Sequence, residues 1–151
     1  MNTLEKTLEI LSTFTLKGTF DTNKKTKLSE IFGKDIPKEL NNYGVYIFTE
    51  TANNKETIVY IGKNGTMEQN GQFSDHLLKK RIMQGKRKQR WVAKHSFKVY
   101  WFVTINKMDL DTRNQLKSHI DIASIPSVIE SRLLEKFYEL ERQLPKYNNA
   151  F

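Results

Sequence analysis

The sequence predicts an α+β fold in which a small, mostly antiparallel three-stranded sheet is flanked by helices. Two β-branched and aromatic segments, YGVYIFT at 43–49 and TIVYIG at 57–62, are joined by a short polar turn, which is the pattern of a β-hairpin. A third segment of the same kind, FKVYWFVT, occupies 97–104. Apolar residues at helical spacing precede the hairpin, separate it from the third strand, and follow that strand. This order of elements is typical of a small α+β domain.

The predicted helices occupy residues 3–13, 73–85 and 126–144. In the first helix leucines recur at helical spacing, and in the last helix apolar residues repeat every four positions, so each has one apolar face. The second helix carries an apolar stripe and ends at a glycine, which is a common helix stop. Residues 107–122 are predicted to be a connector with some helix.

Length and composition restrict the classes of protein. A chain of 151 residues fits one domain. It contains no cysteine, which excludes disulfides and cysteine-ligated zinc or iron–sulfur sites and suits a reducing compartment. No apolar segment approaches the roughly 20 residues of a membrane span, and the first residues lack the pattern of a secretory signal. We therefore expect a soluble, cytoplasmic protein without a membrane partner.

The positive charge is concentrated in one part of the chain. The formal net charge is +8, yet residues 76–108 contain ten Lys or Arg and no Asp or Glu. A local excess of this kind is typical of a surface that binds a polyanion such as nucleic acid. The alternative is a solvated, lysine-rich face. The candidate nucleic-acid-binding residues are Lys79, Lys80, Lys86, Arg87, Lys88, Arg90 and Trp91.

Each strand of the predicted hairpin carries a tyrosine close to a glycine, in GVY and in YIG. Because side chains alternate along a strand, Tyr46 is expected to share a face with Gly44, and Tyr60 with Ile58 and Gly62. A suitable register would place both phenols on one face, and the glycines would leave room for a ligand to approach. The alternative is that both tyrosines are ordinary strand aromatics.

An arginine on the predicted second helix is a candidate phosphate ligand. Arg81 lies four residues after Leu77, beside the apolar stripe. From a rigid element, a guanidinium can hold a phosphate through two hydrogen bonds. The alternative is a surface arginine whose stem covers apolar surface.

A glutamate on the last predicted helix is a candidate metal ligand. Glu130 leans toward the apolar side, whereas Glu135 belongs to a face of alternating charges typical of solvated ion pairs. A carboxylate on the buried side is costly unless it is paired or binds a cation. The alternative is a capping box, in which Glu130 reaches back to the backbone of Ser127.

Taken in order, these motifs resemble the GIY-YIG nuclease family. The similar segments are GVY, a hairpin turn, YIGK, a helix with LKKRI, a third strand, IESRLLEKF and PKYN. They run from about residue 43 to residue 149, and the two glycine–tyrosine motifs at hairpin spacing are the specific part. The resemblance implies a nuclease domain at 43–151, preceded by a helical and polar extension at 1–42 that packs on it.

The resemblance implies a metal-dependent endonuclease that hydrolyses phosphodiester bonds in DNA. It implies that the catalytic residues are Tyr46, Tyr60, Lys63, Arg81, Glu130 and Asn148. Tyr60 is the better candidate to help deprotonate the attacking water, with assistance from Lys63. Arg81 would hold the scissile phosphate, and Glu130 would bind one divalent cation, Mg²⁺ or Mn²⁺. Asn148 would support the site from beyond the helix.

Several alternatives stay open at this point. The long span after Glu130 makes Asn149 a second candidate for the role of Asn148. RNA is an alternative substrate to DNA, and the protein is expected to be a monomer or a homodimer. A different class of function is a non-catalytic nucleic-acid-binding module that uses the basic 79–98 stretch, with Trp91 as a stacking platform. A third is a structural domain with core tyrosines. The complete set of candidate catalytic residues favours the endonuclease.

Overall fold

The computed structural model describes residues 1–24, 37–74, 77–78, 80 and 90–149. Within these residues the chain forms a four-stranded antiparallel sheet, a two-stranded ribbon and two α-helices. The strands are β1 (Lys17–Thr22), β2 (Tyr43–Ala52), β3 (Lys55–Asn64), β4 (Thr66–Met67), β5 (Phe73–Ser74) and β6 (Phe97–Ile105). The N-terminal helix is Thr3–Glu9 and the C-terminal helix is Pro126–Glu141. Short 3-10 helices occupy Lys38–Leu40, Arg90–Ala93, Lys107–Asp109 and Ile122–Ser124.

The α+β class is confirmed, but the predicted number of strands is wrong. The order in the main sheet is β1-β6-β2-β3, so β1 adds a fourth strand beside β6. The sequence of β1, KGTFDT, gives little β signal because Phe20 is its only large apolar residue. Residues 17–22, which the sequence assigns to the N-terminal extension, therefore belong to the same sheet as the hairpin.

The β2–β3 hairpin is confirmed, and its turn is explained by two asparagines. Asn53 and Asn54 have φ angles of 53° and 61°, in the left-handed region that asparagine tolerates better than most residues. Two consecutive positive φ angles are characteristic of the type I′ turn, whose twist matches that of a tight hairpin. β2 begins where predicted and extends three residues further, and β3 extends two residues further at each end, which carries the pairing close to the turn.

The sheet has a separate core on each face. On one face the two helices pack against the sheet and form the helix-side core. Its buried members are Leu4, Leu11, Val45, Ile47, Ile58, Ile61, Phe102, Ile129, Leu133, Leu134 and Phe137. The other face carries the aromatic core, whose buried members are Phe20, Leu40, Tyr46, Phe48, Val59, Leu78, Val92, Phe97, Val99, Trp101 and Val103. Tyr60, Trp91 and Tyr147 are only partly buried against this second core.

The helix predicted for residues 73–85 does not begin where the sequence suggests. Phe73–Ser74 is instead strand β5, which pairs with β4, and the backbone N–H of Phe73 donates to the carbonyl of Asn114 at 2.8 Å. Leu78 and Lys80 are helical, and residues 75–76, 79 and 81–89 lie outside the described part of the chain. In the part that is described, no helix is both long and apolar enough to cross a membrane.

Candidate active site at the edge of β3

A cleft of about 490 Å³ opens along β3, which is an edge strand of the main sheet. Its walls come from β3, from the C-terminal helix, from the segment that follows this helix, and from the 3-10 helix at Arg90–Ala93. The described residues that line it are Tyr60, Ile61, Arg90, Trp91, Glu130, Leu134, Lys146, Tyr147, Asn148 and Asn149. The structure thus brings together three of the predicted catalytic residues, Tyr60, Glu130 and Asn148, from three separate segments. We call it the β3 cleft.

Asn148 forms part of one wall of the β3 cleft, and its side chain makes the hydrogen bonds that the backbone of a neighbouring strand would make. The backbone N–H of Ile61 donates to Oδ1 of Asn148, and Nδ2 of Asn148 donates to the Ile61 carbonyl, both at 2.9 Å. The backbone N–H of Tyr147 donates to the carbonyl of Val59 at 2.8 Å. These bonds satisfy backbone groups that an edge strand would otherwise expose. Asn149, the second candidate, is exposed and also lines the cleft, but the side-chain bonds to the strand come from Asn148.

The two tyrosines of the hairpin lie on the same face but at different depths. In the β2–β3 register Tyr46 is opposite Gly62, and Phe48 is opposite Tyr60, so both phenols project from the aromatic side. Their ring centroids are 6.1 Å apart. Tyr60 is half-buried and lines the β3 cleft. Tyr46 is 4% exposed and packs in the aromatic core behind it, outside the described lining of the cleft.

The two motif glycines do not leave space for a ligand, contrary to the sequence-based expectation. A Cβ on Gly62 would lie 2.6–2.7 Å from atoms of the Tyr46 ring. A Cβ on Gly44 would collide with the backbone carbonyl of Phe102 on β6. Both distances are far below ordinary contact, so glycine is needed at each position for close packing within the protein. Gly62 in particular is what allows the Tyr46 ring to lie over β3.

A β-bulge on β3 changes the predicted face of one residue. The register passes from Phe48 opposite Tyr60 to Thr49 opposite Ile58, which leaves Val59 as the extra residue on β3. Tyr60 therefore faces the aromatic side, whereas Ile58 packs in the helix-side core. The expectation that Tyr60 and Ile58 share a face is wrong, because strict alternation is interrupted at the bulge. The same bulge presents the Val59 carbonyl to Tyr147.

Glu130 faces the β3 cleft from the C-terminal helix. It is half-buried and lines the cleft, whereas Glu135 is exposed, as the helical positions of the two residues predict. The capping-box alternative is wrong. The residue before the helix is Ile125, Pro126 occupies the first helical position, and the structure shows no side-chain cap. Ser127 lies inside the first turn, where it cannot act as the N-cap.

Lys63 is not brought to the β3 cleft with Tyr60. It pairs with Val45, a member of the helix-side core, and so projects from the opposite face of the strand. Its Nζ donates to Oγ1 of Thr66 at 3.0 Å, and Lys63 is not among the described residues that line the cleft. The sequence contained this signal, because the alternation that places Tyr60 and Gly62 on one face places Lys63 on the other.

The predicted basic residues are only partly described. Arg81, Lys79, Lys86, Arg87 and Lys88 lie outside the described residues. Lys80 is exposed, and Arg90 is exposed at the β3 cleft.

Trp91, the predicted stacking platform, belongs to the aromatic cluster, and one face of its ring is occupied. Its ring stacks on Tyr147 with a centroid distance of 4.3 Å and an interplanar angle of 3°. It also contacts the rings of Phe48, Tyr60 and Phe97, with centroids 5.1–5.2 Å away. One face of the indole is therefore covered, and its edges are packed within the aromatic cluster.

Two residues that line the β3 cleft were missed by the sequence reasoning. Lys146 and Tyr147 belong to the PKYN segment, in which only Asn148 was given a role. The signal for both residues was their position next to Asn148. Because the Asn148 side chain is bonded to β3, its neighbours in the chain are held at the same edge of the sheet.

The carboxylate at the β3 cleft fits one type of metal ion better than another. In the described part of the chain, no three His, Asp or Glu residues are grouped as a ligand set. The described residues therefore offer no set of three or four ligands of the kind that a zinc centre requires. A single carboxylate, Glu130, fits a magnesium ion that keeps most of its waters.

Comparisons of the chain with protein-family models, with curated proteins and with solved structures found no match.

Proposed function

We propose that the protein is a metal-dependent endonuclease that hydrolyses phosphodiester bonds in DNA. One observation carries the proposal. Tyr60, Glu130 and Asn148 come from a strand, a helix and the segment beyond it, and they line one cleft. The resemblance to the GIY-YIG nuclease family implies a catalytic role for all three residues. Residues chosen for a shared role that then converge from distant parts of the chain support that role.

Phosphodiester hydrolysis requires several groups, and residues of the β3 cleft are candidates for them. A water oxygen attacks phosphorus, the bond to the leaving oxygen breaks, and one proton moves from the water to a base while another reaches the leaving oxygen. Tyr60 is the one of the two predicted catalytic tyrosines that lines the cleft, and it is the candidate to accept or relay the water proton. A phenol is a weak base at neutral pH, so it needs assistance. Because Lys63 bonds to Thr66, we assign that assistance to groups in the cleft rather than to Lys63.

The remaining tasks concern negative charge. Glu130 would hold the divalent cation, Mg²⁺ or Mn²⁺, and the bound ion would stabilise charge on the phosphate and on the leaving oxygen. Arg81 is proposed to bind the scissile phosphate, as the resemblance implies. Asn148 is a positioning residue in this scheme, because its amide holds Ile61 between Tyr60 and Gly62 and keeps the strand and the following segment in register.

A non-catalytic nucleic-acid-binding module is the second candidate. It is favoured by the exposure of Lys80, Arg90, Lys94 and Lys98, the described cations of the basic 79–98 stretch. A binding module requires no metal ion and no particular carboxylate. Binding of nucleic acid without any cleavage would support this candidate.

Cleavage of supercoiled plasmid with Mg²⁺ or Mn²⁺ tests the proposal. We expect the protein to nick the plasmid and Glu130→Gln to lose at least about 100-fold in rate, because metal stabilisation of transition-state charge is worth several kcal/mol. Arg81→Ala should lose activity comparably. The matched control is Glu135→Gln, which removes an exposed carboxylate five residues away on the same helix and should cleave like the unmodified protein.

Two outcomes would overturn the nuclease proposal. One is cleavage by Glu130→Gln at the unmodified rate, and the other is activity that persists in excess chelator. Thermal unfolding of each variant separates loss of function from loss of fold. The same assay with single-stranded RNA identifies which nucleic acid is the better substrate.

A further inference from the structure

Two cations from separate segments meet at the mouth of the β3 cleft. Arg90 begins the 3-10 helix that precedes β6, and Lys146 follows the C-terminal helix. Both side chains are exposed and line the cleft that Glu130 also lines. Each cation directly precedes one ring of the stacked pair formed by Trp91 and Tyr147. The stack thus joins the two segments at the point where the cations emerge.

The backbone on both sides of this stack is firmly held. Val92, next to Trp91, is fully buried in the aromatic core. Tyr147 is bonded through its N–H to the Val59 carbonyl, and Asn148 makes two hydrogen bonds to β3. The backbone at the two cations is therefore held in place, and only their side chains have to be ordered when a ligand binds. Such preorganisation reduces the entropy lost when a ligand binds.

The charges of this pair are available to an anion. In the described part of the chain, ion pairs join Arg113 to Asp111 and Lys136 to Glu139, and none involves Arg90. Lys146 likewise forms none there, and its Nζ lies 5.2 Å from the Tyr147 ring centroid. Two cations beside one carboxylate give the rim a positive balance, which suits a phosphate chain rather than a neutral ligand.

We propose that Arg90 and Lys146 form a two-point clamp for backbone phosphates of one nucleic-acid strand, held in place by the Trp91–Tyr147 stack. The clamp deepens the proposed function and rests on it, because it would hold the strand whose bond is cut at Glu130. Contacts to phosphates fix the register of a strand without reading its bases. The clamp is therefore expected to be indifferent to sequence and sensitive to salt.

Salt-dependent binding of a fluorescent single-stranded oligodeoxynucleotide tests the clamp, in excess chelator so that no cleavage occurs. Each phosphate contact contributes about 0.7 to the slope of log affinity against log salt for a single strand. We expect Arg90→Ala and Lys146→Ala each to reduce the slope by about that amount and to weaken binding several-fold at fixed salt. The control is Lys17→Ala, because Lys17 is an exposed cation on β1, at the opposite edge of the sheet from β3 and outside the basic stretch.

A separate comparison of variants tests whether the Trp91–Tyr147 stack positions Lys146. Tyr147→Leu keeps Lys146 but removes the ring on which Trp91 stacks, so it should cost about as much binding as Lys146→Ala. The double variant should lose little more than either single one, because the two changes act on the same contact. Fully additive losses would show that Tyr147 binds the strand independently, and would overturn the positioning role.

Failure of the clamp can be told apart from failure of the nuclease proposal. Unchanged slopes in Arg90→Ala and Lys146→Ala, with normal binding and cleavage, would overturn the clamp alone. Normal clamp behaviour without any Glu130-dependent cleavage would overturn the nuclease alone. Absence of binding by the unmodified protein would overturn the clamp, and the plasmid assay would still decide the nuclease.

Discussion

The molecule contains two tyrosine–glutamate neighbourhoods, one on the helix side of the sheet and one at its β3 edge, and they are built differently. On the helix side, the Tyr100 hydroxyl donates to Oε2 of Glu56 at 2.6 Å, and Oγ1 of Thr49 donates to the same oxygen at 2.6 Å. Burial, followed by this hydrogen bond, raises the pKa of Tyr100 well above its ordinary value. At the β3 cleft, Tyr60 and Glu130 line an open space together with two cations.

The difference shows that surroundings, not residue types, separate a structural pair from a candidate site. Tyr100 and Glu56 satisfy each other, and a phenol that keeps its proton so firmly cannot serve as a base. Tyr60 and Glu130 stand where a phosphate chain could enter beside Arg90. Residue type alone does not distinguish one neighbourhood from the other.

The largest difference between the two neighbourhoods is expected when the tyrosine hydroxyl is removed from each and the rate of cleavage is compared. Tyr60→Phe should reduce the rate of plasmid cleavage by about 10²–10⁴-fold, the usual contribution of a general base. Tyr100→Phe should leave the rate unchanged. Single-turnover cleavage by the two variants at saturating metal is the measurement. Equal rates in Tyr60→Phe and the unmodified protein would remove Tyr60 from the mechanism and erase the contrast.

The strand that carries Tyr60 should depend on Asn148 for its stability. Asn148→Ala would remove two hydrogen bonds and leave the N–H and carbonyl of Ile61 without their present partners. We expect the free energy of unfolding to fall by about 2–3 kcal/mol, since each bond contributes about 1 kcal/mol and unsatisfied partners add to the loss. Urea unfolding measures this loss, and hydrogen exchange at the Ile61 amide should accelerate. Asn149→Ala is the control, and an equal loss there would contradict the assignment.

Local patterns made the hairpin and the different exposure of Glu130 and Glu135 predictable from the sequence. Alternation and turn chemistry identified β2 and β3, and helical periodicity separated Glu130 from Glu135. In contrast, β1 has one large apolar residue, Phe20, and owes its place in the sheet to pairing with distant β6. Pairing between distant segments leaves no local pattern in the sequence, which is why a fourth strand was missed.

The details of the site depended on single residues that no periodic pattern reveals. Val59 is one extra residue in β3, yet it reverses the expected face of Ile58 and offers its carbonyl to Tyr147. Pro126 at the first helical position shifts Ser127 out of the capping role. The sequence contains these residues, but their effects arise only when the segments are packed together.

The helix-side pair should contribute to stability in a manner that depends on pH. Tyr100→Phe should lower the free energy of unfolding by roughly 1.5 kcal/mol at neutral pH, the lower end for a hydrogen bond to a charged group because the pair is only half-buried. The folded protein raises the pKa of Tyr100, so the contribution of this residue is fully present below the unfolded value of 10.0. It should decline as the pH rises above that value, because the unfolded tyrosine ionises first.

Urea unfolding of the two proteins across this pH range checks the linkage. The unmodified protein should lose stability more steeply above pH 10 than Tyr100→Phe does, because the other tyrosines titrate in both proteins and cancel in the comparison. Parallel curves would show that Tyr100 ionises equally in the folded and the unfolded states. That result would mean that burial and the hydrogen bond to Glu56 do not hold the proton on Tyr100.

The smallest effect is expected on the outer face of the helix that carries Glu130. Glu139 forms an exposed ion pair with Lys136 at 3.4 Å. Exposed pairs of this spacing contribute about 0.3–0.5 kcal/mol, so Glu139→Gln should change the free energy of unfolding by no more than that and should leave cleavage unaffected. Unfolding at low and high salt is the measurement, and the small difference should vanish at high salt because exposed charges are screened. A large loss of cleavage in Glu139→Gln would mean that any carboxylate on this helix affects the reaction through net charge, and the particular position of Glu130 at the cleft would no longer distinguish it.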